Sequence, residues 1–199
     1  MTRAQLLELG YIVPIETVPS ILKHGVLSHV RAQRIGHKDI SLGDVEDLRS
    51  KVIVPAPGGG RRLHDYANLY ICPRNPMLLK RSGMHQELCV LRVNPNVLDI
   101  AGTVVTDMNA GSKYAHFAAA PAGLSIVDRD RTFDDWWTHD DQRDQWRHSA
   151  QKCAEVLVPN VVPAVHIVGA YVSCEAGREA LTAAAPGLGT SINAHLFFQ

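Results

Sequence analysis

Ser149-Ala-Gln-Lys-Cys-Ala-Glu-Val-Leu-Val158 decides the fold, because a polar helical pattern gives way there to an apolar β-run with one carboxylate, Glu155, at the junction. Upstream, residues 140–152 are rich in Asp, Gln, Arg and Lys and set Trp146, Ala150 and Cys153 at helical spacing. That pattern predicts an amphipathic helix with those three on its apolar stripe. Val156, Leu157 and Val158, stopped by Pro159-Asn160, predict a short strand closed by a turn. A carboxylate at the mouth of such a strand is either an exposed end residue or a group held partly desolvated for chemistry. Taken alone, the segment favours the first.

The chain around this junction has 199 residues, which fits one domain, 1–199, with interior enough for a core. Twenty basic and twenty acidic side chains cancel, so no global field draws the protein onto nucleic acid or an anionic membrane, and any nucleic-acid contact is local. The longest apolar stretch, 161–172, is interrupted by Pro163, His166 and Gly169 and is too short to span a bilayer. Residues 1–10 mix Arg3 and Glu8 with leucines and do not read as a secretion signal, so a soluble cytoplasmic protein is expected. Cys72, Cys89, Cys153 and Cys174 are scattered, three of them in apolar runs, which predicts reduced thiols and no disulfide framework. The ten histidines form neither His-x-x-x-His nor His-Glu-x-x-His, and no metal is expected.

Elsewhere the pattern alternates short strands with helices of unequal length. An apolar start at 11–15 leads to a helix over 18–24, with Thr17 as cap, Pro19 in the first turn and Gly25 as a left-handed stop. Residues 44–51 predict a short helix feeding a loop that ends in Pro55-Ala-Pro-Gly-Gly-Gly60. Residues 69–73 and 89–93 predict strands joined by a helical segment through Met77, Leu78 and Leu79, and two more strands fall at 156–158 and 166–172. The class is α+β. The glycine run lacks the Lys-Ser/Thr of a phosphate loop and the spacing of a dinucleotide turn, so a flexible loop is the expectation. His64-Asp65 invites a general-base reading, yet neighbours on an extended chain face opposite ways. No Ser stands in a Gly-x-Ser-x-Gly elbow. Thr106-Asp107-Met-Asn109 reads by itself as a turn after a strand.

Four blocks in order resemble one family, the DarT DNA ADP-ribosyltransferase toxins, over residues 10–172. They are Leu48-Arg49 ahead of Val54-Pro-Ala-Pro-Gly-Gly; His64-Asp65-Tyr66 through Tyr70-Ile-Cys-Pro-Arg-Asn-Pro-Met77-Leu78; Val105-Thr106-Asp107-Met-Asn109-Ala110; and Ala154-Glu155-Val-Leu-Val158. The resemblance implies an ADP-ribosyltransferase-like fold, with two small sheets forming an NAD cleft and helices flanking them. It further implies transfer of ADP-ribose from NAD to a base of single-stranded DNA, with nicotinamide released and a macrodomain antitoxin as partner. Glu155 matches the family's catalytic glutamate, whose charge would stabilise the cation that develops on the ribose. Arg49 matches an active-site arginine linked to activation of the acceptor base; a permanently charged guanidinium suits polarisation, not proton abstraction.

The resemblance also sets Tyr11, Val13 and Leu27, with Arg49, against NAD. It assigns His64, Asp65, Tyr66, Arg74, Met77, Thr106, Asp107, Asn109 and Tyr114 to the acceptor strand. Tyr66 and Tyr114 would stack on bases, while Arg61, Arg62, Arg74 and Lys113 would meet phosphates. Two features depart from the family: Tyr11 and Val13 replace a His and a Thr that hydrogen-bond the nicotinamide end, and the chain ends in Ala194-His-Leu-Phe-Phe-Gln199 in place of a Tyr-rich closing strand. A weakened relative that only binds nucleic acid or a partner, and a protein-modifying ADP-ribosyltransferase, therefore stand as alternatives.

Overall fold

A computed structural model describes residues 1–34, 49–55 and 59–199. The helix expected over 44–51 and the start of the glycine run lie largely outside them; Arg49 and Ser50 are in helical backbone. Twelve strands are described: β1 (Leu9–Pro14), β2 (Val26–Leu27), β3 (Ile53–Val54), β4 (Arg61–Arg62), β5 (Tyr66–Tyr70), β6 (Leu88–Val93), β7 (Val104–Thr106), β8 (Phe117–Ala119), β9 (Glu155–Pro159), β10 (Val161–Val162), β11 (Ile167–Val172) and β12 (Thr190–Ile192). The helices are α1 (Val18–His24), α2 (His29–Gln33), α3 (Pro76–Leu79), α4 (Arg129–Phe133), α5 (Gln142–Gln151) and α6 (Glu175–Ala184).

Eight strands share one sheet in the order β12-β11-β6-β1-β5-β9-β7-β8, and β2-β10 and β3-β4 make two small ribbons. The large sheet is two four-stranded halves. Strand β1 pairs with β6 along six residues but meets β5 through Gly10 and Tyr70 alone. A Cβ on Gly10 would lie 2.7 Å from the Cβ of Pro73, so the bare backbone there admits the proline ring beside the join. The expected pair of small sheets corresponds to these halves, linked by one residue pair.

Alternation along each strand sorts the core. Leu9 and Val13 of β1, Cys89, Leu91 and Val93 of β6, Ala67 and Leu69 of β5, and Val156 and Val158 of β9 point to one face, where they meet Val18 and Ile21 of α1 and Leu181 of α6. The other face carries two smaller clusters, one per half: Ile12, Tyr70, Leu78, Val90, Leu196 and Phe197 on one side, and Leu63, Tyr66, Val104 and Leu157 on the other. Glu155 projects between them.

At the C-terminal end His195–Phe197 form a 3-10 turn that buries Leu196 and Phe197, and the sheet's edge strand there is β12, parallel to β11. Two expectations change. Trp146 is 67 % exposed, whereas the buried residue of α5 is His148. Polar contacts hold this helix, since His148 Nε2 donates to the Arg131 carbonyl (2.9 Å) and Arg131 pairs with Asp144 (2.8 Å). Thr17 does not cap α1; its hydroxyl donates to the Pro14 carbonyl at 2.8 Å. Gly25 ends that helix at φ 81°, where a Cβ would sit 2.4 Å from the Val162 carbonyl oxygen. Cys72, Cys89 and Cys153 are buried free thiols and Cys174 is half-buried. Among the described residues no helix is long and apolar enough to cross a membrane.

Candidate active site

Register lines up one row across the middle strands. Gly10 pairs with Tyr70, Tyr70 with Glu155, Glu155 with Thr106, and Thr106 with Phe117. Directly paired residues share a face, so Tyr70 and Thr106 flank Glu155 on the face carrying the two smaller clusters. Glu155 is fully buried and Arg49 is 7 % exposed. The guanidinium forks onto the carboxylate: Arg49 Nη1 donates to Oε1 at 3.1 Å and Nη2 to Oε2 at 3.0 Å. A third donor, the Ala110 N–H, reaches Oε1 at 3.0 Å. The two residues assigned catalytic roles are thus one unit, although 106 positions separate them.

Three donors hold the carboxylate in a fixed position. Charge-assisted bidentate bonds are strong and directional, and they offset part of the cost of burying both charges. A carboxylate offers about four acceptor sites, and three are filled. Among the described residues Oε2 takes a single donor, so its second acceptor site is the one the three bonds leave. Tyr70 stands next in the row with a hydroxyl that has no hydrogen-bond partner among the described residues. Burial first, then the neighbouring Glu155 charge, pushes this phenol far above its ordinary range, so it stays a neutral donor. The same two causes push the Cys153 thiol up to about 12, which leaves it unreactive.

The loop after β7 aims the Ala110 N–H. Thr106 donates through its hydroxyl to the Met108 carbonyl (3.0 Å), Asn109 accepts the Gly111 N–H at its side-chain oxygen (2.8 Å), and the Asn109 N–H donates to the Ala150 carbonyl of α5 (2.9 Å). Asp107 ties the far end by accepting from the N–H and ring Nδ1 of His116, both at 2.9 Å. The Asp-x-Asn turn is therefore the brace of the site. Lys152 is a second brace, which the sequence did not signal. It is fully buried three residues before Glu155, and its Nζ donates to the carbonyls of Thr132 (2.9 Å) and Asp134 (2.6 Å).

The other candidate residues divide. Tyr114, 81 % exposed on the loop, is free to meet a nucleotide. Tyr66 is a core residue of the Leu63–Leu157 cluster with Arg61 over its ring. His64 and Asp65 sit in a 3-10 turn, not an extended segment; His64 lies 4.3 Å from the His29 ring, centroid to centroid, and the Asp65 carbonyl accepts the Asn160 N–H. Arg74 is engaged internally by Asp135 (3.2 Å), the His195 carbonyl and the Phe198 ring, so a phosphate would have to displace these contacts. Met77 packs on α3 against the Ile12–Phe197 cluster. Asn75 explains the surrounding block, since its side chain accepts the Met77 and Leu78 N–H groups and caps α3 ahead of Pro76. Val13 is buried in the main core, and alternation puts Tyr11 on that same face, opposite Glu155. Leu27 is half-buried on β2, paired with Val161. Of the four residues set against NAD, Arg49 alone adjoins the carboxylate.

Known proteins share this arrangement of elements. The family model described as ssDNA thymidine ADP-ribosyltransferase, DarT, matches residues 11–197. A DNA ADP-ribosyl transferase-DNA ADP-ribosyl glycohydrolase fusion protein of Thermosipho africanus (strain H17ap60334) is 33 % identical over 175 residues, which is 83 % of this chain and 42 % of the relative. The chain thus spans less than half of that fusion protein. A DNA ADP-ribosyl transferase of Thermus sp. (strain 2.9) is 26 % identical over 162 residues, covering 77 % of this chain and 75 % of the relative. Among solved structures, Thermus sp. 2.9 DarT in complex with ADP-ribosylated ssDNA superposes with a TM-score of 0.82 at 22 % identity, covering 99 % of both chains. Thermosipho africanus DarTG in complex with ADP-ribose gives 0.81 at 26 % identity, over 96 % of this chain and 51 % of the other. The fold is of this ADP-ribosyltransferase type.

Proposed function

The chain belongs to the DarT family, and from that premise we propose that it transfers ADP-ribose from NAD to thymidine in single-stranded DNA and releases nicotinamide. The observation that carries the reading is the buried Arg49–Glu155 fork, braced by the Ala110 N–H. As the bond between ribose and nicotinamide breaks, positive charge grows on the ribose, and a carboxylate already fixed in a water-poor setting stabilises it without reorganising. The open lone pair on Oε2 orients a ribose hydroxyl. Arg49 holds the carboxylate in place, and it polarises the incoming base; being permanently charged, it takes no proton.

One domain, within 1–199, carries this activity, and no metal takes part. The protein acts in the cytoplasm as the toxin of a toxin–antitoxin pair. Its partner is a macrodomain antitoxin that removes the modification, a pairing supported by the Thermosipho relative that joins a DNA ADP-ribosyl transferase to a DNA ADP-ribosyl glycohydrolase. Loss of side-chain hydrogen bonding at Val13 leaves the backbone of β1 to hold the nicotinamide end, while the intact fork argues against a catalytically decayed relative. Incubation with labelled NAD and single-stranded oligonucleotides tests the reading by mass spectrometry. Addition to thymidine-containing strands supports it. Addition to protein alone overturns it in favour of a protein-modifying enzyme, and NAD loss without any acceptor overturns it in favour of a glycohydrolase.

A further inference from the structure

Helix α5 carries an exposed large aromatic where a polar helix gains nothing from one. Trp146 is 67 % exposed, and Arg143 and Arg147 beside it are also exposed. Residues 143, 146, 147 and 150 follow the i, i+3, i+4, i+7 spacing that gathers side chains on one helix face. The side of α5 that holds the protein together lies elsewhere: Asp144, His148 and Gln151 meet α4 through Arg131, which bonds Asp144 (2.8 Å), the Gln151 side chain (3.4 Å) and, by its carbonyl, His148 (2.9 Å). The Arg-Trp-Arg face is left to solvent. Its C-terminal end is Ala150, whose carbonyl accepts the Asn109 N–H of the loop that positions Ala110 on Glu155. The C-terminal end of the stripe's helix thus touches the loop that carries exposed Lys113 and Tyr114 and positions Ala110 on the buried carboxylate.

Charge favours a nucleic acid as the occupant. Neither arginine of the stripe takes part in an ion pair among the described residues, and the one acid between them, Asp144, is spent on Arg131. Asp140 and Asp141 lie at the start of the helix, where Asp141 accepts the Arg143 and Asp144 N–H groups as its cap. Arg147 also acts on Asp144 through its charge, but neither guanidinium is within ion-pair distance of an acid among the described residues, and two exposed guanidinium groups on either side of an indole are an arrangement that holds a single strand: a π-face for a base and cations for the adjoining phosphates.

We infer that the Arg143–Trp146–Arg147 face of α5 binds single-stranded DNA beyond the acceptor thymidine, with a flanking base stacked on Trp146. The inference rests on the DNA reading above and extends it to a second contact region. It makes substrate length, not only the acceptor base, a determinant of binding.

The test uses end-labelled oligonucleotides with one thymidine and flanks lengthened one nucleotide at a time on either side, with affinity read by fluorescence anisotropy. For the wild-type protein, affinity steps up when one flank becomes long enough to reach α5. Trp146→Ala removes that step, a loss of roughly 5- to 150-fold, and Trp146→Phe retains most of it. Arg143→Ala and Arg147→Ala each reduce the slope of log affinity against log salt by about 0.7. Melting temperature and NAD affinity of each variant verify folding, because the truncated side chains are exposed and no core is lost. Wild-type binding without a length step, or full retention of the step in Trp146→Ala, overturns the inference while leaving the transfer reading intact. Absence of wild-type transfer to every oligonucleotide overturns both.

Discussion

Removing one member of the Arg49–Glu155 fork should destabilise the whole fold, and removing both charges should restore most of the loss. Both partners are buried, so Arg49→Met leaves the carboxylate with the Ala110 N–H as its donor among the described residues, and Glu155→Gln takes away the charge that both guanidinium bonds point to. Breaking a buried pair from one side costs about 3–5 kcal/mol, most of it the penalty of an uncompensated charge. In a chain of 199 residues each kcal/mol lowers the melting temperature by roughly 2–4 °C, so each single variant should melt about 6–20 °C below the wild type. The double variant Arg49→Met/Glu155→Gln carries no buried charge at this point, and its glutamine carbonyl can still accept the Ala110 N–H. It should regain more than half of the lost stability, which in a double-mutant cycle appears as a coupling of at least about 2 kcal/mol. Scanning calorimetry or chemical denaturation on the four proteins measures this. Single variants that melt within about 2 °C of the wild type, or a double variant whose loss equals the sum of the singles, would refute the reasoning.

Other consequences follow from individual atoms. Tyr70→Phe deletes a hydroxyl that makes no hydrogen bond among the described residues, so the ligand-free protein should keep or slightly raise its melting temperature; a drop of more than about 1 kcal/mol would mean that the hydroxyl has a structural bond. Cys174 at the start of α6 has its thiol held below the usual range, first by the Ser173 hydroxyl and then by the backbone N–H groups of Gly177 and Ala176, whereas burial pushes Cys89 and Cys153 up to about 12. Thiolate forms as pH rises past the pKa, so alkylation of Cys174 should set in at a lower pH than for an ordinary thiol while Cys89 and Cys153 stay unmodified in the folded protein. Peptide mapping after iodoacetamide treatment decides it, and equal labelling of the three would contradict the assignment. Lys152→Met should cost stability, since Thr132 and Asp134 lose the donor to their carbonyls; an unchanged denaturation midpoint would show that this lysine braces nothing.

Sequence periodicity was a good guide wherever burial followed it. The strands over β5, β6, β9 and β11 and the helix at α1 were legible because β-branched runs and turn residues marked them. It failed at α5, where the buried residue is a histidine tied by hydrogen bonds and the tryptophan faces water, since helical spacing alone cannot tell an inward stripe from an outward one. The family resemblance put Arg49 and Glu155 in one active site, but their direct fork was not legible, because two residues so far apart leave no local pattern. Its third member is a main-chain N–H, for which Ala110 gives no side-chain signal at all. Val13 and Tyr66 were placed by block position alone; strand alternation sets Val13 in the main core and Tyr66 in the smaller cluster on the face that carries Glu155.

The most direct test of the central claim compares wild-type protein and Glu155→Gln on a thymidine-containing single strand with NAD, reading the oligonucleotide by mass spectrometry and NAD binding by calorimetry under the same conditions. The account predicts addition of one ADP-ribosyl group by the wild type, and none by a folded Glu155→Gln that still binds NAD. Transfer by Glu155→Gln at the wild-type rate would contradict it.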